Sequence, residues 1–108
     1  MIYELRNYRC HPGKLDAVLQ RFEGPTLAIW RRMDFRPVGF WTARSEDGAD
    51  LLIYVVAWES TAEREAKWAE FLGDPEWKAA RTASEANGPL LASFTTTVLT
   101  PTSFSALQ

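Results

Sequence analysis

The chain has 108 residues, a net charge of −2, and acidic and basic residues mixed along its length. This length predicts one domain over residues 1–108, with a C-terminal tail at 101–108. The absence of a basic stripe argues against nucleic acid as a partner, and no apolar run reaches the roughly 20 residues of a membrane helix. Strand-like sequence stands where a signal peptide would lie, and Cys10 is the one cysteine, so we expect a cytoplasmic protein.

A strand and a long, interrupted helix are predicted for the first third of the chain. The strand spans Ile2 to Arg9. A helix follows because apolar residues recur at i, i+3, i+4 and i+7, namely Leu15, Val18, Leu19 and Phe22, while the polar residues between them, Arg21 included, are expected in solvent. Gly24 and Pro25 predict a kink or a restart, since proline cannot donate a backbone hydrogen bond inside a helix. The helix is expected to end at Asp34, whose short polar side chain tolerates the left-handed conformation.

Two strands joined by a polar loop come next. The second strand is predicted at Phe35–Ala43, where Pro37 indicates a sheet edge and Gly39 a bulge. The third strand, Leu51–Trp58, is eight residues long and contains no polar residue. Because a strand with one wet face alternates apolar and polar residues, both faces of this strand must be covered. One face carries Leu51, Ile53, Val55 and Ala57, and the other carries Leu52, Tyr54, Val56 and Trp58.

Two helices and an edge strand complete the pattern. Ser60 and Glu63 predict a capping box that starts a helix running to about residue 72. Small residues at positions 62, 66 and 69 of this helix are expected to bring it close to the sheet. Asp74 followed by Pro75 predicts the start of a second helix. The last strand is predicted at Leu90–Thr100, whose run of three threonines suits a sheet edge.

The order β-α-β-β-α-β predicts an α+β fold, a ferredoxin-like sandwich in which strands one and three are central. Both long helices then lie on one side of the sheet and can cover only one face of the third strand. We expect the face of Leu52, Tyr54, Val56 and Trp58 to stay uncovered within the chain. A homodimer that packs sheet against sheet would cover it.

Several short motifs resemble those of one family, in the same order along the chain. They are MIYELRNY at 1–8, PGKL at 12–15, VGFWT at 38–42, AERE at 62–65, DPEW at 74–77 and LTPTSFS at 99–105. Together they resemble a NIPSNAP domain over nearly the whole chain. The resemblance implies a dimeric α/β barrel, in which two ferredoxin-like sheets close around a shared interior. Fold relatives include antibiotic-biosynthesis monooxygenases, haem-degrading enzymes and stress-responsive barrel proteins, and kinship of fold does not by itself carry chemistry.

The third strand departs from the pattern of the family it resembles. Members often carry the sequence HLWAY there, whereas this chain has YVVAW at 54–58. Tyr54 therefore stands in place of the interior histidine, and Val56 in place of the interior tryptophan. The residue on which an interior acid–base or haem-ligand role would rest is absent.

A mixed polar and aromatic group is predicted for the barrel interior. The candidate ligand-binding residues are Glu4, Arg6, Tyr8, Trp41, Tyr54 and Trp58. A buried acid and a buried base are costly unless they pair, so Glu4 and Arg6 are predicted to form an ion pair. That pair is either a structural bridge that fixes the dimer register, which we favour, or part of a polar clamp for a small ligand with Tyr8 or Tyr54 as donor.

No residue is assigned a catalytic role. His11 is the only histidine and lies in a Pro-Gly turn, without a serine, cysteine or carboxylate at a recognisable catalytic spacing. Cys10 has no neighbouring base that would make it a reactive thiolate. A metal site needs several converging ligands, and one histidine with one cysteine falls short, so we predict neither a metal nor another cofactor.

Two classes of function remain open from the sequence. The first is a homodimeric NIPSNAP-like protein of uncertain activity that binds a small apolar or aromatic ligand in the barrel interior. The second is a cofactor-independent monooxygenase or isomerase that holds an aromatic substrate among Tyr54, Trp58 and Trp41. The lack of a good interior base favours the first class, and whether the protein is an enzyme stays open.

Overall fold

A four-stranded antiparallel sheet carries all the helices on one side in the computed structural model, which describes residues 1–108. The elements are β1 (Ile2–Cys10), α1 (Leu15–Arg21), a π-helical turn (Phe22–Thr26), α2 (Leu27–Arg32), β2 (Arg36–Arg44), β3 (Asp50–Trp58), α3 (Thr61–Gly73), α4 (Pro75–Ser84) and β4 (Leu91–Leu99). The strand order is β2-β3-β1-β4, so the first and third strands are central. This is the predicted ferredoxin-like α+β fold. None of its helices is long and apolar enough to cross a membrane.

The predicted interruption of the first helix takes the form of a π-helical turn. The backbone N–H of Leu27 donates to the carbonyl of Phe22, five residues earlier. Pro25 has no N–H and cannot make the regular bond to the carbonyl four residues before it, so the wider turn lets the helix continue. The helix then ends at Arg32, and Asp34 just beyond it adopts the predicted left-handed conformation with φ of 60°.

The edge strand β2 has the predicted bulge. Its pairing with β3 shifts register between Pro37 and Gly39, which leaves Val38 as the extra residue. A Cβ atom on Gly39 would come within 2.8 Å of the indole ring of Trp41. Glycine leaves room here for the Trp41 ring against the backbone, and a larger residue would displace that ring.

Side-chain caps start both of the later helices, as predicted. The Ser60 hydroxyl accepts a hydrogen bond from the backbone N–H of Glu63 at 3.1 Å. The Asp74 carboxylate accepts one from the backbone N–H of Trp77 at 3.0 Å. Each cap satisfies a backbone donor that the first helical turn leaves unpaired.

The face of α3 that meets the sheet is not the predicted one. Ala62, Ala66 and Ala69 are exposed, whereas Trp68 and Phe71 pack against the core. The expectation that the small residues approach the sheet is wrong. The face with the large side chains packs against the core because burying an aromatic ring removes far more apolar surface from water than burying a methyl group.

The helices cover the opposite face of β3 from the one expected. The side chains that were expected to lack a cover are at most 1% exposed and lie in the main core beneath the helices; they are Leu52, Tyr54, Val56 and Trp58. The half-buried face that points away from the helices carries Leu51, Ile53 and Val55. The prediction is wrong because both faces are apolar, and a period of two cannot tell which of them receives the helices. We call the helix side of the sheet the inner face and the other side the outer face.

The tail at 101–108 forms neither helix nor strand. It returns to the sheet, because the Tyr3 hydroxyl on the outer face donates a hydrogen bond to the backbone carbonyl of Gln108 at 3.1 Å. The side-chain amide of Gln108 also donates to the carbonyl of Thr102 at 2.9 Å, which folds the tail on itself.

Candidate functional site

Glu4 lies at the centre of a buried polar network between the sheet and α3. Its residue is 0% exposed, yet both of its carboxylate oxygens have partners. Oε1 accepts hydrogen bonds from the indole nitrogens of Trp68 at 2.8 Å and Trp58 at 3.0 Å. Oε2 accepts from the guanidinium groups of Arg6 and Arg64, each at 3.2 Å. The predicted ion pair between Glu4 and Arg6 is present and is one part of this larger network.

The network keeps Glu4 ionised. Burial by itself raises the pKa of Glu4, but hydrogen bonds from Arg64 and Trp68 lower it. The charge of Arg6 and the hydrogen bond from Trp58 lower it further, so that the pKa lies below its ordinary value. A carboxylate held in this way is a weak proton acceptor, so Glu4 is a poor general base. Its role is to fix the positions of the four side chains that donate hydrogen bonds to it.

Arg6 connects Glu4 to a pair of tyrosines. Its Nε donates to the Tyr54 hydroxyl at 2.8 Å, and its Nη2 donates to the Tyr8 hydroxyl at 3.3 Å. The two hydroxyl oxygens are 2.7 Å apart and share a hydrogen bond. The guanidinium also lies 4.4 Å from the centre of the Trp68 ring. Arg6 is thus held on several sides, while 13% of its side chain remains exposed.

Arg6 and Tyr54 both keep their ordinary protonation state at neutral pH. Burial raises the pKa of Tyr54 well above its usual value, and neighbouring Tyr8 adds to the effect while Arg6 opposes it. Burial lowers the pKa of Arg6, but its interactions with Tyr54, Tyr8 and Glu4 outweigh burial and raise it. Tyr54 is therefore a neutral hydroxyl and Arg6 a cation.

A cleft of about 780 Å³ opens beside this network, between the sheet and helices α3 and α4. Its aromatic walls come from Tyr8, Phe22, Trp68, Trp77 and Phe94. Its charged groups are Arg6, Arg21, Arg64, Arg81, Glu65 and Glu85. A volume of this size, with apolar walls and a few polar groups, suits a small organic ligand.

The structure brings together five of the six residues predicted for the site. Glu4, Arg6, Tyr8, Tyr54 and Trp58 all lie on the inner face. Arg6 and Tyr8 line the cleft, and the other three lie behind its wall. These residues lie between the sheet and the chain's own helices, so the expectation that they face an interior shared by two sheets is wrong. Their role in binding a ligand stays a prediction.

Trp41 is separated from the other five. Register pairs Phe40 with Tyr54, and Trp41 with Ile53, so that Trp41 lies on the outer face. Its residue is 54% exposed. The expectation that it lies beside Trp58 is wrong, because neighbouring residues of a strand point to opposite faces and Phe40 takes the inner position.

The sequence interpretation missed the contributions of the helices. Arg64 and Trp68 both reach Glu4 from α3, and their spacing of four residues places them on one helix face. That spacing was a usable signal, although the alanine stripe obscured it. Arg21 was expected in solvent, but it is only 8% exposed and donates to the Ser84 hydroxyl at 3.1 Å. Arg21 is buried because α4 packs beside α1, and the residue pattern of α1 does not predict that packing.

The other reactive residues do not line the cleft. His11 is part of a turn, where its backbone N–H donates to the carbonyl of Leu90 at 2.9 Å. Cys10 is a buried free thiol whose pKa is raised, first by burial and then by the charge of Asp50. No group of three histidine, cysteine or carboxylate side chains is placed to hold a metal ion.

Comparison with known proteins gives one family. The family model described as NIPSNAP matches residues 3–106. The crystal structure of an uncharacterised NIPSNAP-like domain protein from Burkholderia xenovorans is similar over 96% of this chain and 87% of that one, with 27% identity and a TM-score of 0.83. A NIPSNAP family protein of unknown function from Agrobacterium tumefaciens is similar over 100% of this chain and 94% of its own, with 26% identity and a TM-score of 0.82.

More distant structures share only the fold. A protein of Chloroflexus aurantiacus, described as a proposed antibiotic biosynthesis monooxygenase, is 17% identical over 94% of this chain and 96% of that one. Its TM-score is 0.53. None of the curated proteins matches the sequence.

Proposed function

The chain belongs to the NIPSNAP family, and we propose that it is a binding protein for a small apolar or aromatic molecule. The observation that carries this proposal is the cleft of about 780 Å³ between the sheet and the helices. Aromatic side chains form its walls, and Arg6 and Tyr8 place polar groups at one side of it. Apolar walls supply affinity, and a few fixed polar groups orient the ligand.

Binding can be followed through the two tryptophans that line the cleft, Trp68 and Trp77. We expect naphthalene derivatives to change the intrinsic fluorescence of the protein in a saturable way. The variant Ala92→Trp should abolish binding, because Ala92 lines the cleft and the larger side chain would fill it. The control Ala62→Trp places the same side chain on the exposed face of α3 and should leave binding intact. Equal binding by both variants would show that the ligand lies elsewhere.

A cofactor-independent monooxygenase or isomerase acting on an aromatic substrate is the second candidate. The observation that favours it is the Tyr8 hydroxyl at the wall of the cleft, which hydrogen-bonds with Tyr54 and Arg6, since a hydroxyl beside a guanidinium can stabilise a developing oxyanion. In such an oxygenase a ring methylene and O₂ become a ring carbonyl and water, with no added reductant. Incubation with an anthrone under an oxygen electrode tests this, and Tyr8→Phe should slow any enzymatic uptake of oxygen. Uptake at the rate of the buffer control would exclude an oxygenase of this type.

We also propose that two copies form a homodimer through their outer sheet faces, as in a dimeric α/β barrel. All helices lie on the inner side, and the outer face presents Leu5, Trp41, Leu51, Ile53, Val55 and Leu99. Four strands of nine residues give a face of roughly 20 by 30 Å, or roughly 1,200 Å² for two copies. That area is at the lower end for a stable interface. A second copy is the partner that would present the same apolar surface in return.

A further inference from the structure

Arg21 is the one arginine of the cleft that has no carboxylate partner. Arg6 and Arg64 both contact Glu4, and Arg81 pairs with Glu85 at 3.0 Å. The Arg21 guanidinium makes a single hydrogen bond, from Nη1 to the Ser84 hydroxyl, while its Nε is buried without an acceptor.

The surroundings of Arg21 make this isolation costly. Only 8% of the residue is exposed, and the guanidinium lies 5.2 Å from the centre of the Trp77 ring. Burial lowers the pKa of Arg21, and the charge of Glu85 opposes burial without cancelling it. A cation removed from water is unfavourable unless an anion and hydrogen-bond acceptors replace the water.

The side chains in and directly behind the wall of the cleft carry one more positive than negative charge, which one monovalent anion would balance. Four arginines line it, against Glu65 and Glu85 on its surface and Glu4 directly behind its wall. One positive charge is therefore left over in the sum, and Arg21 is the one arginine of the four that no carboxylate contacts. A single surplus charge matches a carboxylate better than a doubly charged phosphate.

We propose that the ligand of the cleft is an aromatic carboxylic acid whose carboxylate pairs with Arg21 while its ring lies against the aromatic walls. This inference rests on the proposed binding function and names the class of ligand. The planar guanidinium offers parallel N–H groups that match the two oxygens of a carboxylate. Trp77 lies beneath the guanidinium and would limit its movement when the acid binds.

A matched pair of probes isolates the charge: 2-naphthoate and 2-naphthamide have nearly the same shape, but only the first is an anion. We expect wild-type protein to bind the acid about tenfold or more tightly than the amide, by calorimetry at neutral pH. Arg21→Met should remove this preference by weakening binding of the acid far more than binding of the amide. Arg21→Lys should keep part of it. Arg31→Met is the control, because Arg31 is exposed, does not line the cleft and carries the same charge.

Stability separates a binding role from a structural one. A buried cation without a carboxylate partner contributes little to folding, so Arg21→Met should unfold at the same temperature as wild type or higher when no ligand is present. The acid should raise the unfolding temperature of wild type more than that of Arg21→Met, and the amide should raise both by similar amounts. A large fall in the unfolding temperature of the free variant would make Arg21 a structural residue and overturn the proposal.

The remaining outcomes are also distinguishable. Equal binding of acid and amide by wild type overturns the carboxylate inference and leaves the proposed binding function in place. An equal loss of preference in Arg21→Met and Arg31→Met assigns the effect to net charge and overturns the role of Arg21. If neither probe binds at millimolar concentration, the proposed aromatic ligand and the inference both fail.

Discussion

The indole nitrogen of Trp68 donates a hydrogen bond of 2.8 Å to the carboxylate of Glu4, across 64 residues of sequence. This bond joins the central strand β1 to helix α3, and its acceptor Glu4 is 0% exposed. Arg64, one helical turn earlier, contacts the same carboxylate. The sheet and the helical layer are therefore held together by hydrogen bonds to the Glu4 carboxylate as well as by apolar packing.

Removing the Glu4 carboxylate should destabilise the fold strongly. Glu4→Leu leaves two guanidinium groups and two indole N–H groups without their acceptor. We expect a loss of about 3 kcal/mol in the free energy of unfolding, the low end for breaking a buried pair, because Arg6 and Arg64 keep partial access to water. Urea denaturation measures it. Glu70→Leu, on the exposed face of α3, is the control and should change stability little.

The contribution of Glu4 should depend on pH in the acid range. Its pKa is lowered in the folded protein, so its stabilisation is complete above the ordinary glutamate pKa of about 4.3. As the pH falls below that value, the unfolded chain binds a proton first, and the stabilisation is lost down to the lowered pKa of the folded state. The difference in unfolding free energy between wild type and Glu4→Gln should therefore shrink as the pH falls below about 4.3. A constant difference would show that the charge of Glu4 is not what stabilises the fold.

The tyrosine pair should matter to stability through Arg6. Tyr54→Phe removes the acceptor of the shortest hydrogen bond from Arg6 and the partner of the Tyr8 hydroxyl. We expect a loss of about 1–3 kcal/mol in the free energy of unfolding, since a buried charged donor is left without its acceptor. Tyr3→Phe is the control, because its hydroxyl contacts only the tail. Equal effects of the two variants would contradict the importance of the Arg6 contact.

A charge on the outer face should separate the proposed dimer. Ile53→Asp places a carboxylate at the centre of that face and should give a folded monomer in analytical ultracentrifugation, while wild type sediments as a dimer. Val98→Asp changes a residue on the inner side of the edge strand, 45% exposed, and should leave the dimer intact. A folded, monomeric wild type at micromolar concentration would contradict the proposal.

We expect the purified protein to carry no stoichiometric metal and no haem. The motivation is the ligand count: Tyr54 stands where the resemblance implies an interior histidine, and the single histidine, His11, lies in a turn and does not line the cleft. Elemental analysis and a haem titration followed at the Soret band check this. A stoichiometric metal or a tightly bound haem would contradict it.

Local sequence was a reliable guide to the elements and their order. Pro37 and Gly39 predicted an edge strand with a bulge, and Ser60 and Asp74 predicted two helix starts, because turns, caps and bulges depend on residues within a few positions of one another. The resemblance to the NIPSNAP family also rested on short local motifs, and it is confirmed over residues 3–106.

The sequence by itself therefore determined the strands, the helices, their order and the grouping of Glu4, Arg6 and Tyr8 on one strand face, since alternation along a strand is a local property. Only the tertiary structure decided which sheet face the helices cover, and with it that Trp41 lies outside and Arg21 inside. Both faces of β3 are apolar, so either could have received the helices on the pattern alone. The choice depends on contacts between elements that are far apart in the sequence, such as those of Arg64 and Trp68 with Glu4, and the pattern within one strand does not report such contacts.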